Sequence, residues 1–490
     1  MNSPLAYQRQ RLWFAPMLVG IIAIGGWLRT TCAQEFISLP PTVENTIYET
    51  ELLPSQLDSS DIRPSTAEES TVVTPASYPA MYETPNDIGW PSEVRSGYDD
   101  GFVVACPRQL NIDTSDIPFV WRVNGWGQLR HTEFNSQGTN PDQNQFQLKR
   151  ARIVISGSAF TPDFQYFFQL DGRSSSGDNL RLLDYYMTYD IGHHRLGYEP
   201  GTLGFKTGKY KIPYSLARYL SGKQFEFTDR SMSSMYFDAN RSLAWGLYGT
   251  VDGLIIPWYW ETAIFNGLVT GGAETGSSGN LDDNFAYSAR LMAFPIGDWG
   301  SSELADFEWH DTLATRIGAG WADSTINRSG MTEFDSIRVV DSGQTLASIL
   351  PLSVDQYTVN LYAVNHSCKW RGWSQTFEYY FRYINDIEGA AIPNLFDHGF
   401  WFQLGKFVIP GRLELLTRWS RVDGNSGTLG VADECSEEIA GGFAWYIRDQ
   451  HAKLTADATY INGAPINSDS LDMSPGDIGW LFRTQIQFAF

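Results

Sequence analysis

Between Leu203 and Arg241 the chain reads "LGFKTGKYKIPYSLARYLSGKQFEFTDRSMSSMYFDANR". Seven bases, Lys206, Lys209, Lys211, Arg218, Lys223, Arg230 and Arg241, stand there against three acids, Glu226, Asp229 and Asp238, in a chain of formal net charge −21. A basic island in an acidic protein can attract and hold anions without any covalent step. Arginine offers a planar fork that matches phosphate oxygens in pairs, and lysine a compact point charge. The competing reading is a solvated surface run, the ordinary fate of clustered charge. Covalent chemistry has no comparable foothold: the chain shows no Gly-x-Ser-x-Gly elbow, phosphate-binding glycine loop or metal-ligand spacing. No acid pair stands out as a glycoside-cleaving couple. No catalytic residue, metal ligand or cofactor is therefore assigned. His193 and His194 are adjacent, which on a strand would point them to opposite faces.

The elements around this island set its position. Pro213 ends the strand-like "LGFKTGKYK", and "YSLARYL" has a helical flavour, so the island reads as a long insertion between strands. Elsewhere from about residue 117 the texture is period two, in short segments separated by Gly, Asn, Asp and Ser clusters. In "RARIVISG" Ala151, Ile153 and Ile155 oppose Arg150, Arg152 and Ser156. In "DFQYFFQLD" the apolar face is Phe164, Tyr166, Phe168 and Leu170, and in "LLDYYMTYD" it is Leu183, Tyr185, Met187 and Tyr189. In "TFEYYFRY" Phe377, Tyr379, Phe381 and Tyr383 oppose Glu378 and Arg382, and "AKLTADATYI" repeats the pattern. Charges recur in mid-strand on the polar face, and many segments approach the length that crosses a tilted bilayer. These features favour a transmembrane antiparallel β-barrel, lipid outside and water within, over a soluble sandwich. The last segment, "LFRTQIQFAF", alternates to Phe490, as expected of a strand that closes a barrel and presents an aromatic to the insertion machinery.

Composition agrees: of the 490 residues 14% are aromatic and 45 are Gly, which suits a β-rich protein at a membrane interface. Net acidity argues against nucleic acid as a partner. Residues 1–33 read as an export signal, with Arg9 and Arg11 before an apolar run and "TCA" before Gln34. Residues 34–105 read as a disordered acidic arm rich in Pro, Ser and Thr; about 13 acids face two bases in residues 34–100. The barrel is expected over 106–490. Cys32 would leave with the signal, and Cys106, Cys368 and Cys435 have no spacing that chooses a disulfide.

Taken in order, "FQLKRARIVISGSAFTPDFQYFFQLD", "LLDYYMTYD", "FKTGKYKIPYSLARYLSGKQFEFTDRS", the R-x-x-A-W-G of Arg241–Gly246, "AIFNG", "YSARLMAFP" and "LELLTRWSRVD" resemble the phosphate-selective porin O and P family of outer-membrane porins. The resemblance covers roughly residues 117–490. It implies a homotrimer of barrels of about 16 strands in outer-membrane lipid, each with an inward-folded constriction loop matching residues 209–230. It also implies arginines on the pore wall that conduct phosphate or other small anions. Carried over, it makes Arg150 and Arg152 wall arginines and Lys209, Lys211, Arg218 and Lys223 constriction candidates, with Arg230 at the end of the same segment a further anion-binding candidate; Arg290, Arg418 and Arg421 match family arginines in later strands, though Arg418 and Arg421 cannot share a strand face. Acids such as Asp171, Asp184 and Glu226 would orient these bases. The rival readings are a general, weakly selective porin and, from another class, a secreted β-rich carbohydrate-active protein.

Overall fold

The computed structural model describes residues 95–98, 101–106, 119–172, 180–251, 256–268, 282–301, 303–329, 331–340, 344–429, 434–468 and 471–490. The export signal and residues 34–94 of the expected arm lie outside them. Two short strands come first, β1 (Arg95–Tyr98) and β2 (Phe102–Cys106). They are followed by β3 (Phe119–Ser136), β4 (Gln143–Ala159), β5 (Thr161–Gly172), β6 (Leu180–Asp190), β7 (Gly204–Lys211) and β8 (Arg241–Val251). Next come β9 (Trp258–Phe265), β10 (Ala286–Ile296), β11 (Ala314–Asn327), β12 (Gln356–Trp370) and β13 (Trp373–Glu388). The last are β14 (Leu395–Ile409), β15 (Leu413–Gly424), β16 (Glu434–Arg448), β17 (Ala452–Asn462) and β18 (Ile478–Ala489).

Each strand from β3 to β18 pairs antiparallel with the next, and β18 pairs back onto β3, with Gly479 opposite Ser136 and Ala489 opposite Trp126. Among the described residues this is a closed barrel of 16 strands. Closure leaves no strand edge in the hydrocarbon, where unpaired backbone groups would each cost several kcal/mol. Phe490 extends the closure by one step: its N–H donates to Gly125 at 2.9 Å and the Gly125 N–H donates back at 3.0 Å.

The pattern of burial is inside out. On β18, Phe482, Ile486 and Phe488 are exposed, whereas Leu481, Arg483, Gln485 and Gln487 are buried. On β13, Glu378, Tyr380 and Arg382 are buried and Phe377, Tyr379 and Phe381 lie on the opposite face. Arg130, Arg150, Arg316, Arg382 and Arg483 are among the largest fully buried side chains. Charge sequestered from the outside and aromatics facing it define a barrel in lipid, with Trp370, Trp373, Trp419, Trp445 and Trp480 among its exposed aromatics.

Three details differ from the sequence expectation. First, β1 and β2 form a hairpin, and Phe102–Cys106 pairs with Val123–Phe119 of β3, so the expected boundary at 105/106 falls inside a strand. Second, Leu183 leaves the apolar face. Gln169 pairs with Asp184 and Leu170 with Leu182, which makes Leu183 the extra residue of a bulge. Third, His193 and His194 do not diverge on a strand. They follow Asp190, the N-cap of a short helix α1 (Ile191–Leu196), and both imidazoles contact the Asp163 carboxylate, at 2.7 and 3.0 Å.

The lumen is largely occupied. Residues 212–240, between β7 and β8, fold inward as α2 (Leu216–Tyr219), a 3-10 turn (Gly222–Gln224) and α3 (Met232–Tyr236). The local cause is visible in the chain: Pro213 stops the strand, and Ser215, Ser221 and Ser231 sit at the three N-cap positions. Leu216, Met232, Met235, Tyr236 and Phe237 of this insert are completely buried, with Phe237 stacked on Tyr380 of β13 at 5.4 Å. The connection 328–355, which carries α4 (Met331–Phe334) and α5 (Leu346–Ile349), adds Phe334, Ile337 and Leu346 to the same core, and 463–477 adds Ile466 and Leu471. A wholly water-filled lumen, the expectation from alternation, is therefore replaced on this side by an apolar core. Residues 297–313 enter from the opposite end, the end of the two-residue turn Arg371–Gly372, and Ala305 joins a cluster with Phe227 of the insert.

Candidate functional site

Buried charge needs a partner, and the acids of the insert and of the wall supply it. Asp229 receives Arg130 of β3 and Arg150 of β4, each at 2.9 Å. Asp472 receives Arg130 at 3.0 Å and also Lys149. Arg218 turns to Asp238 within the insert, its Nε donating at 2.7 Å. On the wall Arg152 pairs with Asp171 at 2.8 Å, Arg241 with both oxygens of Asp184 at 2.8 and 3.1 Å, and Arg483 with Asp457 at 2.9 Å.

Backbone groups complete the clamp. The Leu216 and Ala217 N–H groups donate to Glu378 at 2.6 and 3.0 Å, and the Met232 N–H donates to Glu438 at 2.6 Å. These are first-turn amides of α2 and α3, whose orphan donors the wall carboxylates satisfy. In the other direction Lys453 donates to the Phe225 carbonyl at 2.6 Å and Arg418 to the Asp229 carbonyl at 2.9 Å. Glu226 accepts from Ser374 at 2.9 Å and from Gln403, and burial pushes its carboxyl above the usual carboxylate range.

Two cavities lie along β3–β10. A cavity of about 480 Å³ is lined by Lys206, Lys211, Lys223, Arg290, Asp184 and Glu261 among others. A second, of about 640 Å³, shares Phe167, Tyr186, Lys206 and Tyr259 with the first. Lys206 thus stands where the two meet. It contacts Glu261 at 3.1 Å and lies over the rings of Tyr186 and Tyr210 at 4.8 and 4.2 Å. Lys211 donates to the Leu220 carbonyl at 2.9 Å. Arg290 lies 4.2 Å over the Tyr219 ring, with its Nε buried and unpartnered.

A family model described as Phosphate-selective porin O and P matches residues 125–293. The chain is an outer-membrane porin. The match spans β3 to β10 and so contains the insert and the passage, and it agrees with the family that the motifs resemble. Among solved structures the porin is similar to an anion-selective porin from Comamonas acidovorans at 8% identity and TM-score 0.49, covering 76% of this chain and 100% of that one. It is also similar to the outer membrane channel DcaP of Acinetobacter baumannii, at 11% identity and TM-score 0.47, covering 76% and 97%. The trimer form of OmpT of Vibrio cholerae matches at 11% identity and TM-score 0.46, covering 76% and 99%. The search of curated proteins found no match.

The eight bases singled out in the sequence divide between two places. Lys211, Lys223 and Arg290 line the first cavity. Arg150, Arg152 and Arg218 are engaged by carboxylates, and Arg230 donates to the Ala217 and Leu220 carbonyls at 3.0 and 3.1 Å. Lys209 is buried and lines neither cavity. Of the later arginines, Arg418 is buried in the lumen and Arg421 pairs with Asp423 on the other face, as their three-residue spacing requires. The acids expected to orient bases do so at Asp171 and Asp184, whereas Glu226 binds Ser374 and Gln403 instead. Tyr186, Tyr259 and Glu261 were not singled out in the sequence, and Lys206 was named only as one of the seven bases of the island.

Proposed function

We propose that the porin passes small anions, phosphate or other polyanions among them, by diffusion past Lys206, Lys211, Lys223 and Arg290. The observation that carries this reading is the charge of the passage. Four cations line the first cavity against two acids, and one of those acids, Asp184, already has both oxygens engaged by the Arg241 guanidinium. Cations in a low-dielectric funnel raise the local anion concentration and repel cations. Successive weak sites allow exit as well as entry. Arg150, Arg152, Arg218, Arg230 and Lys209 then act by building the insert and holding it in the lumen. No step makes or breaks a covalent bond, so the protein is no enzyme under this reading.

The same reading takes residues 1–33 as an export signal, 34–94 as an acidic arm, and the assembly as a homotrimer, as the family resemblance implies. The test is a titration of single-channel KCl current with inorganic phosphate, for the wild type and Lys211→Ala. Concentration-dependent block that weakens in the variant is expected. An unblocked current through an open channel would overturn phosphate as a permeant ion.

A further inference from the structure

The walls of the two cavities carry aromatic rings beside their charged and polar groups. Phe167 and Tyr186, on neighbouring strands, stack at 5.0 Å, Tyr210 meets Tyr186 edge-on at 5.9 Å, and Tyr259 completes the junction of the two cavities. Tyr219 lies under Arg290 in the first cavity and Tyr248 lines the second. A small, strongly hydrated anion enters a dry site only where several donors converge to replace its water. Three of the cations are engaged separately: Lys206 by Glu261, Lys211 by the Leu220 carbonyl, and Arg290 on the Tyr219 ring. Between them lies aromatic carbon, whose ring faces carry negative potential and offer a bare anion nothing.

A solute with a charged end and a flat apolar body suits such a wall. Its carboxylate can meet Lys206 or Lys211 while its body takes apolar surface out of water against the rings, a gain of about 25 cal/mol per Å². The two cavities, of about 480 and 640 Å³, have room for a body of that kind. We infer that the passage prefers organic anions of aromatic carboxylate type over inorganic phosphate or a short aliphatic carboxylate. The inference rests on the anion reading above and narrows it to a substrate class.

The experiment uses the purified protein in planar bilayers, with benzoate, acetate and inorganic phosphate as probes of the KCl current, alongside the reversal potential in a KCl gradient. An aromatic contact worth about 0.5–1.5 kcal/mol corresponds to about a two- to tenfold lower half-blocking concentration for benzoate than for acetate. Phe167→Leu at the junction and Tyr219→Leu, whose ring lines the first cavity, should bring the half-blocking concentration of benzoate toward that of acetate. An anion-selective channel that benzoate blocks no better than acetate or phosphate would overturn the inference and leave the anion reading standing. A channel without anion preference would overturn the anion reading itself.

Discussion

Asp229 of the inserted segment accepts hydrogen bonds from two arginines of different strands, Arg130 of β3 and Arg150 of β4, and all three side chains are sequestered from water. One carboxylate thereby bridges two wall cations, Arg130 being shared with Asp472, and ties the insert to the wall. Asp229→Ala leaves both guanidinium groups buried beside an empty site. Removing one partner of a buried ion pair costs about 3–5 kcal/mol. The expected outcome is a lower denaturant midpoint for the barrel in detergent, with noisier single-channel current as the insert loosens. Asp229→Asn, which keeps the shape and loses the charge, should fall between.

Lys209 and Lys211 separate two roles that their spacing makes look alike. Lys211 lines the passage, and Lys211→Glu should move the reversal potential toward cations. Lys209 is buried away from both cavities, so Lys209→Glu should instead reduce the yield of folded barrel, read as loss of the heat-modifiable band on a gel. Equal shifts of selectivity in two well-folded variants would contradict the placement of Lys209.

Much of this was legible in the chain. The faces of β13 and β18 follow from period two, because lipid demands apolar side chains on one side of every strand. The insert was legible because Pro213 and a run of bases break that pattern. Its partners were not: Arg130 and Asp229 are separated by 99 positions, and nothing local to either residue names the other. The division of Lys206, Lys209 and Lys211 was hidden by Gly208, whose φ of +124° is a conformation L side chains rarely adopt. Beyond it Tyr210 and Lys211 both reach the cavity although adjacent. The inward course of 297–313 was also hidden, because Trp299 finds its cationic partners, Arg316 and Lys369, on β11 and β12.

That second inward segment can be tested by itself. Trp299 lies against Arg316 at 4.3 Å and Lys369 at 4.6 Å, and Lys369 also donates to the Trp299 carbonyl at 3.3 Å. Trp299→Ala removes the ring from between two cations and opens a void, a change that costs about 3–5 kcal/mol in a packed core. Higher conductance at the same ion preference is expected, since the segment fills space while Lys206, Lys211, Lys223 and Arg290 stay in place. Unchanged conductance would show that 297–313 lies outside the conducting route.

Alkaline pH should loosen the contact between the connections that follow β9 and β11. Glu333, in α4, accepts from the Leu268 N–H at 2.6 Å and from Ser324 at 2.8 Å, and burial pushes its carboxyl up to about 8. Because that value lies above the ordinary one for an unfolded chain, the stabilisation is complete in acid and is lost as pH rises through about 8. Hydrogen exchange at Leu268, corrected for intrinsic rate, should show less protection at pH 9 than at pH 6. Glu333→Gln should abolish the difference, and equal protection in the wild type would refute the assignment.

Anion preference is tested most directly by the sign of one number, the zero-current potential of the channel across a KCl gradient, measured for the wild type and for Lys206→Glu. The cations at the junction of the two cavities predict a wild-type value on the chloride side and a shift toward potassium in the variant. A wild-type value at zero or on the potassium side, or a variant indistinguishable from a chloride-selective parent, would contradict the claim that these residues set which ions pass.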